Sequence, residues 1–402
     1  MTPDLERQLA MLGEETLTPL VCKALGDDQA QLVDWSCARL PTDALNPVTA
    51  GIFGLSGNAH CRGGVMPWSL VLKVIQRIDL GEAGKGFVEN PGDWNYWKRE
   101  GMVYQSGILD GWRGGMVPVK CYAAAEPTPT NVWIWLEEIR EPDRLRWAIG
   151  RHLMAARHFG EFNGAHAGYR PSASHDRWLC RRFLRQWTRT LLRWGLAQLA
   201  RDTTIWAHPY LRLALPPGTE RRLQGLVTDS DAFCGLLEQQ PWTLSHQDPH
   251  WSNLFSIHAD GGQERTTVLD WSFLGIAAIG EDLGTQIGGN LSNLNVESAQ
   301  ARVYYEAAFE AYLEGLRQAG WQGDVRRVRF ACATAACLRW AGYQVMWLGG
   351  CIQAKANGKT SGIDDLARKQ GLSIEETLRR WGLAISFLFD VADEARLYAA
   401  RL

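Results

Sequence analysis

HQDPHWSN, residues 246–253, packs two histidines, one carboxylate and one carboxamide that bear on function into eight positions. His246 and Asp248, two residues apart, suit two chemistries. On a strand they share one face and offer two ligands of a two-histidine, one-carboxylate iron site. Such a site takes its remaining histidine from elsewhere in the chain. The last histidine here is His258, and 144 residues follow it without another, so His250 would have to serve. A zinc site lacks a fourth ligand at usable spacing.

The other chemistry is phosphoryl transfer, which asks for positioning more than for covalent help. It needs a carboxylate to orient the attacking hydroxyl and take its proton, oxygen ligands for Mg2+, and a fixed cation and backbone N–H groups on the phosphates. Asp248 is the base in this scheme. Asn253, five residues on, offers an amide oxygen to the metal, and Asp270, closing TTVLD (266–270), offers a carboxylate. Lys73 is the one charge in the middle of WSLVLKVIQRI (68–78), apolar on both sides of it, so it is a cation on a rigid element. Glu100 lies where the period turns helical and would pair with it.

The surroundings read as two parts. Trp35 and Cys37 continue an alternation begun at Val33, the pattern of a half-buried strand. VTAGIFGLSGNAHCRGG (48–64) is rich in glycine between strand-like runs, and GEAGKGFVENPGDW (81–94) is a loop by its Gly, Asn and Pro content. Trp97, Gly101, Tyr104 and Ile108 recur at helical spacing, and NVWIWLEEI (131–139) is a buried strand ending in two acids. Beyond about residue 140 helices dominate: LMAARHFGEFNGAH, RWLCRRFLRQWTRTLLRWG with Leu184, Trp187, Leu191 and Trp194 on one face, and VYYEAAFEAYLEGLRQAGW. LFSIHA and TTVLDW form a short hairpin among them. The division is therefore a β-rich part, 1–139, and a helical part, 140–402. Arg181, Arg185, Arg189 and Arg193 make a basic stripe, expected to be a solvated helix face.

The net charge of −2 gives no field for nucleic acid or an anionic membrane. No apolar run reaches the roughly 18 residues of a membrane span; the nearest, FACATAACLRWAGYQVMWLGG, is broken by Arg339. The N-terminus has no signal-peptide pattern. Nine cysteines without a C-x-x-C pair read as buried thiols of a reducing, cytoplasmic compartment.

In its order and spacing the set GLSG, VLKV, KREGMVY, LEEI, HQDPHWSNLF and VLDW resembles the aminoglycoside phosphotransferase and choline kinase family, with its protein-kinase-like fold. The resemblance covers roughly residues 45–290. It implies an α+β, bilobal chain with a small β-rich N-lobe and a larger helical C-lobe. It implies Asp248 as catalytic base, Asn253 and Asp270 as Mg2+ ligands, and His246 as a structural brace of the loop. It implies Lys73 paired with Glu100 beneath ATP, and a hinge from Leu136 to Ile139, including Glu137, against adenine. Gly54, Ser56 and Gly57 would lie over the phosphates. Trp271 matches a position where the family often has tryptophan, and Asp282 is expected to cap its helix. The chain departs from the family at Gln247, commonly Gly, and at Pro249 and Trp251.

Protein kinases carry Lys two residues after the catalytic Asp and an A-P-E segment after the metal Asp. Here His250 stands at the first place and the second is missing. The expected activity is ATP- and Mg2+-dependent O-phosphorylation of a small hydroxylated molecule, an aminoglycoside or other antibiotic or a sugar-like compound. The alternative is a catalytically silent nucleotide-binding protein of the same fold. A cationic acceptor would need acids in its pocket, for which Glu281, Asp282 and Glu297 are available.

Overall fold

The computed structural model of the chain describes residues 3–41, 48–78, 89–112, 114–141, 147–258 and 264–402. Among them the strands, in chain order, are β1 (Gln31–Arg39), β2 (Thr49–Cys61), β3 (Gly64–Gln76), β4 (Met116–Pro118), β5 (Cys121–Thr128), β6 (Asn131–Leu136), β7 (Cys180–Arg181), β8 (Trp242–Ser245), β9 (Leu254–His258), β10 (Glu264–Val268) and β11 (Gly275–Ala278). The described residues of 1–112, 118–141 and 173–178 form one compact unit, and those of 113–117, 142–172 and 179–402 a second. The first is β-rich; the second is larger and mostly helical, the α+β partition that the resemblance implies.

In the first unit an antiparallel sheet runs β1-β2-β3-β6-β5. Period-2 alternation gives it two different faces. Phe53, Leu55, Trp68, Leu70, Leu72, Val74, Trp133 and Trp135 turn to one side, where Leu5, Leu17, Leu20 and Val21 of the helices Pro3–Ala10 and Glu14–Leu25 cover them. Those helices were not anticipated in a region that reads as β-rich. Lys73 points to the other face, opposite Ile52 on β2 and Ile134 on β6, and meets the helix Arg99–Ser106 there. A strand covered on both faces is apolar at nearly every position, as β3 is from Trp68 to Ile75.

Two expectations change in this unit. β1 forms, but as an edge strand with a bulge between Leu32 and Asp34, so Val33 is 50% exposed and the strand is not half-buried as its alternation suggests. The helix expected from Trp94 starts only at Arg99 and ends at Gly107, whose φ of 67° stops it before Ile108. Most of the 81–94 loop lies outside the described residues.

In the second unit β8 pairs antiparallel and β7 parallel with β11, while β9 and β10 make the expected hairpin, with β4 beyond β10. The helix Ile149–Ala165 forms as expected. RWLCRRFLRQWTRTLLRWG is not one helix. Cys180–Arg181 is strand, Arg182 turns left-handed at φ 56°, and the helix is Phe183–Arg193. Leu184, Trp187 and Leu191 are buried, but Trp194 lies past its end and is 38% exposed. Arg185 of the basic stripe pairs with Asp231 and Glu238. The helix Glu281–Ser292 is buried along its whole length. Gly284 makes that possible, since a Cβ there would stand 2.2 Å from the Cys332 carbonyl oxygen. All nine cysteines are free thiols; five are buried, and Cys37 is exposed, against expectation. Among the described residues no helix is long and apolar enough to cross a membrane.

Candidate active site

β8 ends at Ser245, and the chain turns at once through Gln247, whose φ is 66°. One buried carboxylate holds this turn. Asp282 accepts the Ser245 hydroxyl at 2.7 Å, the backbone N–H of His246 at 3.2 Å and of Gln247 at 2.7 Å, and the Asn163 amide at 3.0 Å. Asp282 was expected to cap its own helix. Instead Gly280 occupies the cap position, and the carboxylate faces the 245–247 segment.

His246 is fully buried. Its Nδ1 accepts the Asp248 backbone N–H at 3.1 Å, so its proton sits on Nε2, which donates to the Leu269 carbonyl at 2.8 Å. Burial pushes its pKa down, against the pull of Asp282, and favours this neutral form. The ring packs edge-on against Trp271 at 4.7 Å. With both nitrogens on backbone groups, His246 has no lone pair for iron. Among the described residues no three His, Cys, Asp or Glu side chains cluster as a metal site.

Asp248 lies one turn further on. Its Oδ1 accepts Arg339 Nη2 at 2.8 Å; its Oδ2 lies 3.4 Å from His250 Nε2 and 3.3 Å from Asn253 Nδ2. Burial works to raise its pKa, but His250 and Arg339 outweigh burial and hold it well below the usual carboxylate range. Burial lowers the pKa of Arg339, partly offset by Asp248; from so high a starting value the guanidinium stays charged at neutral pH. The pair is therefore an ion pair.

The Asn253 amide also donates to the Asp248 carbonyl, at 2.9 Å. Its NH2 is thus spent on the loop, and its oxygen is the end left for a cation. Strand register brings Asp270 alongside. Val268 pairs with Leu254, and the Leu269 N–H donates to the Asn253 carbonyl at 2.9 Å, so Asn253 and Asp270 leave neighbouring ends of the β9–β10 hairpin. Asp270 is left-handed at φ 57°, and its carboxylate accepts the Ser272 hydroxyl. One carboxylate and one amide oxygen fit Mg2+, which keeps waters and takes its other ligands from phosphates.

In the first unit Lys73 Nζ lies 2.6 Å from Glu100 Oε2, with both side chains buried. This is the pairing expected from the sequence. Glu137 follows β6, and its N–H and carboxylate both bond Lys120, at 3.0 and 2.8 Å. Ile139 is half-buried past the strand end.

Gly54, Ser56 and Gly57 are not a loop. They sit mid-strand in β2, opposite Ala38, Ser36 and Trp35 on β1 and Val71, Ser69 and Trp68 on β3. Their backbone groups are enclosed by sheet ladders on both edges rather than free to cradle phosphates. Gly54 and Ser56 share the face of Lys73, while Gly57 faces the N-terminal helices. A Cβ at Gly57 would stand 2.1 Å from the Asp34 carbonyl oxygen, so the β1 bulge explains that glycine.

Two participants went unforeseen as such. His250, which the sequence reading places neither on the metal nor among the transfer groups, faces Asp248. Arg339 was noted only as a break in an apolar run. The signal was the one that singled out Lys73: a lone charge between Phe330 and Gln353.

No protein-family model matches the chain, and no curated protein does. Solved structures do match over most of its length. They include an amicoumacin kinase in complex with AMP-PNP, Ca2+ and Ami (12% identity, 93% of this chain and 97% of that one, TM-score 0.44). Another is the GDP complex of wild-type aminoglycoside 2'-phosphotransferase-IIIa (11%, 91% and 99%, 0.46). A third is a microcompartment-associated aminopropanol kinase (14%, 95% and 98%, 0.45).

Proposed function

We propose that the chain is an ATP- and Mg2+-dependent O-phosphotransferase acting on a hydroxyl of a small molecule. One observation carries the proposal: an ionised, fixed Asp248 shares its turn with Asn253, whose strand register puts Asp270 beside it.

The roles follow from the chemistry. Lys73, its rotamer fixed by Glu100, holds nucleotide phosphates. Asn253 Oδ1 and the Asp270 carboxylate hold Mg2+. When bound, the metal would neutralise charge on the β- and γ-phosphate oxygens. Asp248 orients the acceptor hydroxyl. The hydroxyl oxygen bonds to the γ-phosphorus, the bond from that phosphorus to the β-phosphate oxygen breaks, ADP leaves with the electron pair, and the proton passes to Asp248. His246 keeps the turn in place and takes no part in the transfer. Glu137 and Ile139 flank the adenine.

The acids suggested for a polycationic acceptor are committed elsewhere. Burial pushes the pKa of Glu281 up to about 8, and its carboxyl accepts the Ala278 N–H. Asp282 anchors the turn, and Glu297 pairs with Arg380. This favours an uncharged, sugar-like acceptor over an aminoglycoside.

The test is ADP formation from Mg·ATP across neutral sugars, cyclitols, macrolides and aminoglycosides. A neutral compound should accelerate it, and Asp248→Asn should lower that kcat by about 10^2- to 10^4-fold with Mg·ATP affinity nearly unchanged. If no compound accelerates ADP formation, the silent nucleotide-binding alternative replaces this one.

A further inference from the structure

Arg339 lies in a run, 325–363, that contains no Asp or Glu. The helix beginning at Val325 widens at Cys337–Ala341 into a π turn and continues as Gly342–Ala356. Such turns are rare and recur at functional sites. Two indole N–H groups tie it to neighbouring helices. Trp187 Nε1 donates to the Arg339 carbonyl at 3.1 Å, and Trp340 Nε1 donates to the Thr285 carbonyl at 3.0 Å.

The guanidinium cannot swing freely. Its carbon lies 4.4 Å from the Phe183 ring centre, 4.6 Å from Trp187, 5.6 Å from Phe273 and 5.7 Å from Trp340. Arg339 is 7% exposed, and its Nη1 is buried without a hydrogen-bond partner among the described residues. Burying a charge with one amine group unpaired disfavours folding. What the arrangement secures is the position of Nη2, 2.8 Å from Asp248 Oδ1.

We propose that Arg339 is a positioning residue for the transfer base: it pins Asp248 Oδ1 and so presents Oδ2, the oxygen flanked by His250 and Asn253, to the acceptor hydroxyl. This rests on the phosphotransferase reading. The π turn sets the reach of the side chain, and the aromatic walls set its plane. Lysine cannot replace it fully, because an ammonium has neither the planar fork nor the stacking faces.

The experiment measures ADP formation from Mg·ATP by the full chain, alone and with the best compound of the panel. It compares wild type, Arg339→Ala, Arg339→Lys, and Arg339→Ala with low, non-denaturing guanidinium chloride. Misplacing a reacting group by about 1 Å lowers rate about 100-fold, and that is the expected loss of kcat in Arg339→Ala. The Kd for Mg·ATP by calorimetry should stay at the wild-type value, guanidinium should restore part of kcat, and Arg339→Lys should fall between. A wild-type kcat in Arg339→Ala overturns the proposal. So does a loss that tracks loss of folded protein by circular dichroism and is not restored by guanidinium. Should Arg339→Ala fail to fold, Arg339→Lys decides, and a wild-type kcat there overturns it. If wild type forms no ADP under any condition, the phosphotransferase reading falls and takes this role with it, an outcome distinct from the others, in which wild type turns over.

Discussion

Asp282 Oδ1 lies 2.7 Å from the backbone nitrogen of Gln247, 35 residues earlier in the chain. The same carboxylate takes three further donors, so the turn before Asp248 is built around one buried anion. Asp282→Asn keeps the shape but turns an NH2 toward some of those donors. The expected cost is about 3 kcal/mol, because hydrogen bonds to a charged group are lost and N–H groups are stranded. Urea unfolding measures it, and kcat should fall more than Mg·ATP affinity. An unchanged urea midpoint would remove Asp282 from the role of anchor.

Lys73 and Glu100 give a second prediction, because stability and nucleotide affinity part company there. Lys73→Met leaves the Glu100 carboxylate buried without its cation, at an expected cost of about 3–5 kcal/mol. Replacing both, as Lys73→Met with Glu100→Leu, removes the two desolvated charges and should restore most of that stability. Mg·ATP binding should remain weak in both variants. If the double variant binds nucleotide like wild type, Lys73 does not hold phosphates.

Much of this was legible in the sequence, and the misses have physical causes. Lys73 and Asp270 stood out as charges beside apolar strand residues, and Asp248 and Asn253 by their spacing within 246–253. The β9–β10 hairpin followed from two short apolar runs. The N-terminal helices did not show, since a short amphipathic helix gains its stability from the sheet it covers and carries a weak local signal. Gly54, Ser56 and Gly57 were misplaced because glycine marks both open turns and strands crossed closely by another backbone; the β1 bulge over Gly57 belongs to the second kind. Asp282 was taken for a cap because capping is a local property, whereas its partners are 35 to 119 residues away. The pairing of Arg339 with Asp248, 91 residues apart, has no local signature at all.

Stability should have a maximum in pH. Burial pushes His152 and His158 down to about 4 from 6.5. Between those values the unfolded chain binds protons that the folded chain does not, so their contribution is full above 6.5 and is lost as pH falls toward 4. Glu281 acts in the opposite sense. Burial pushes it up to about 8 from 4.5, so the folded state keeps a proton that the unfolded state releases, and stability falls as pH rises across that interval. The urea midpoint should therefore peak between about pH 5 and 7. Glu281→Gln should flatten the upper limb and leave the acid limb in place. An upper limb equally steep in the variant would show that Glu281 is not its source.

Gln247 is the one residue of the turn whose side chain works against it. It adopts φ 66°, where a side chain crowds its own backbone, and both polar atoms of its buried amide lack hydrogen-bond partners among the described residues. Gln247→Gly should relieve the left-handed strain, about 1 kcal/mol, and an unpaired amide costing about 1–3 kcal/mol. Against this stand the greater backbone freedom of unfolded glycine, about 0.5–1 kcal/mol, and the space the amide fills beside Gly275. The expected balance is a gain of about 1–2 kcal/mol in urea unfolding. Gln247→Ala separates the two contributions, since it removes the amide and keeps the strain, and it should gain less than glycine. If both variants lose stability, the amide is satisfied in solution and the turn depends on it.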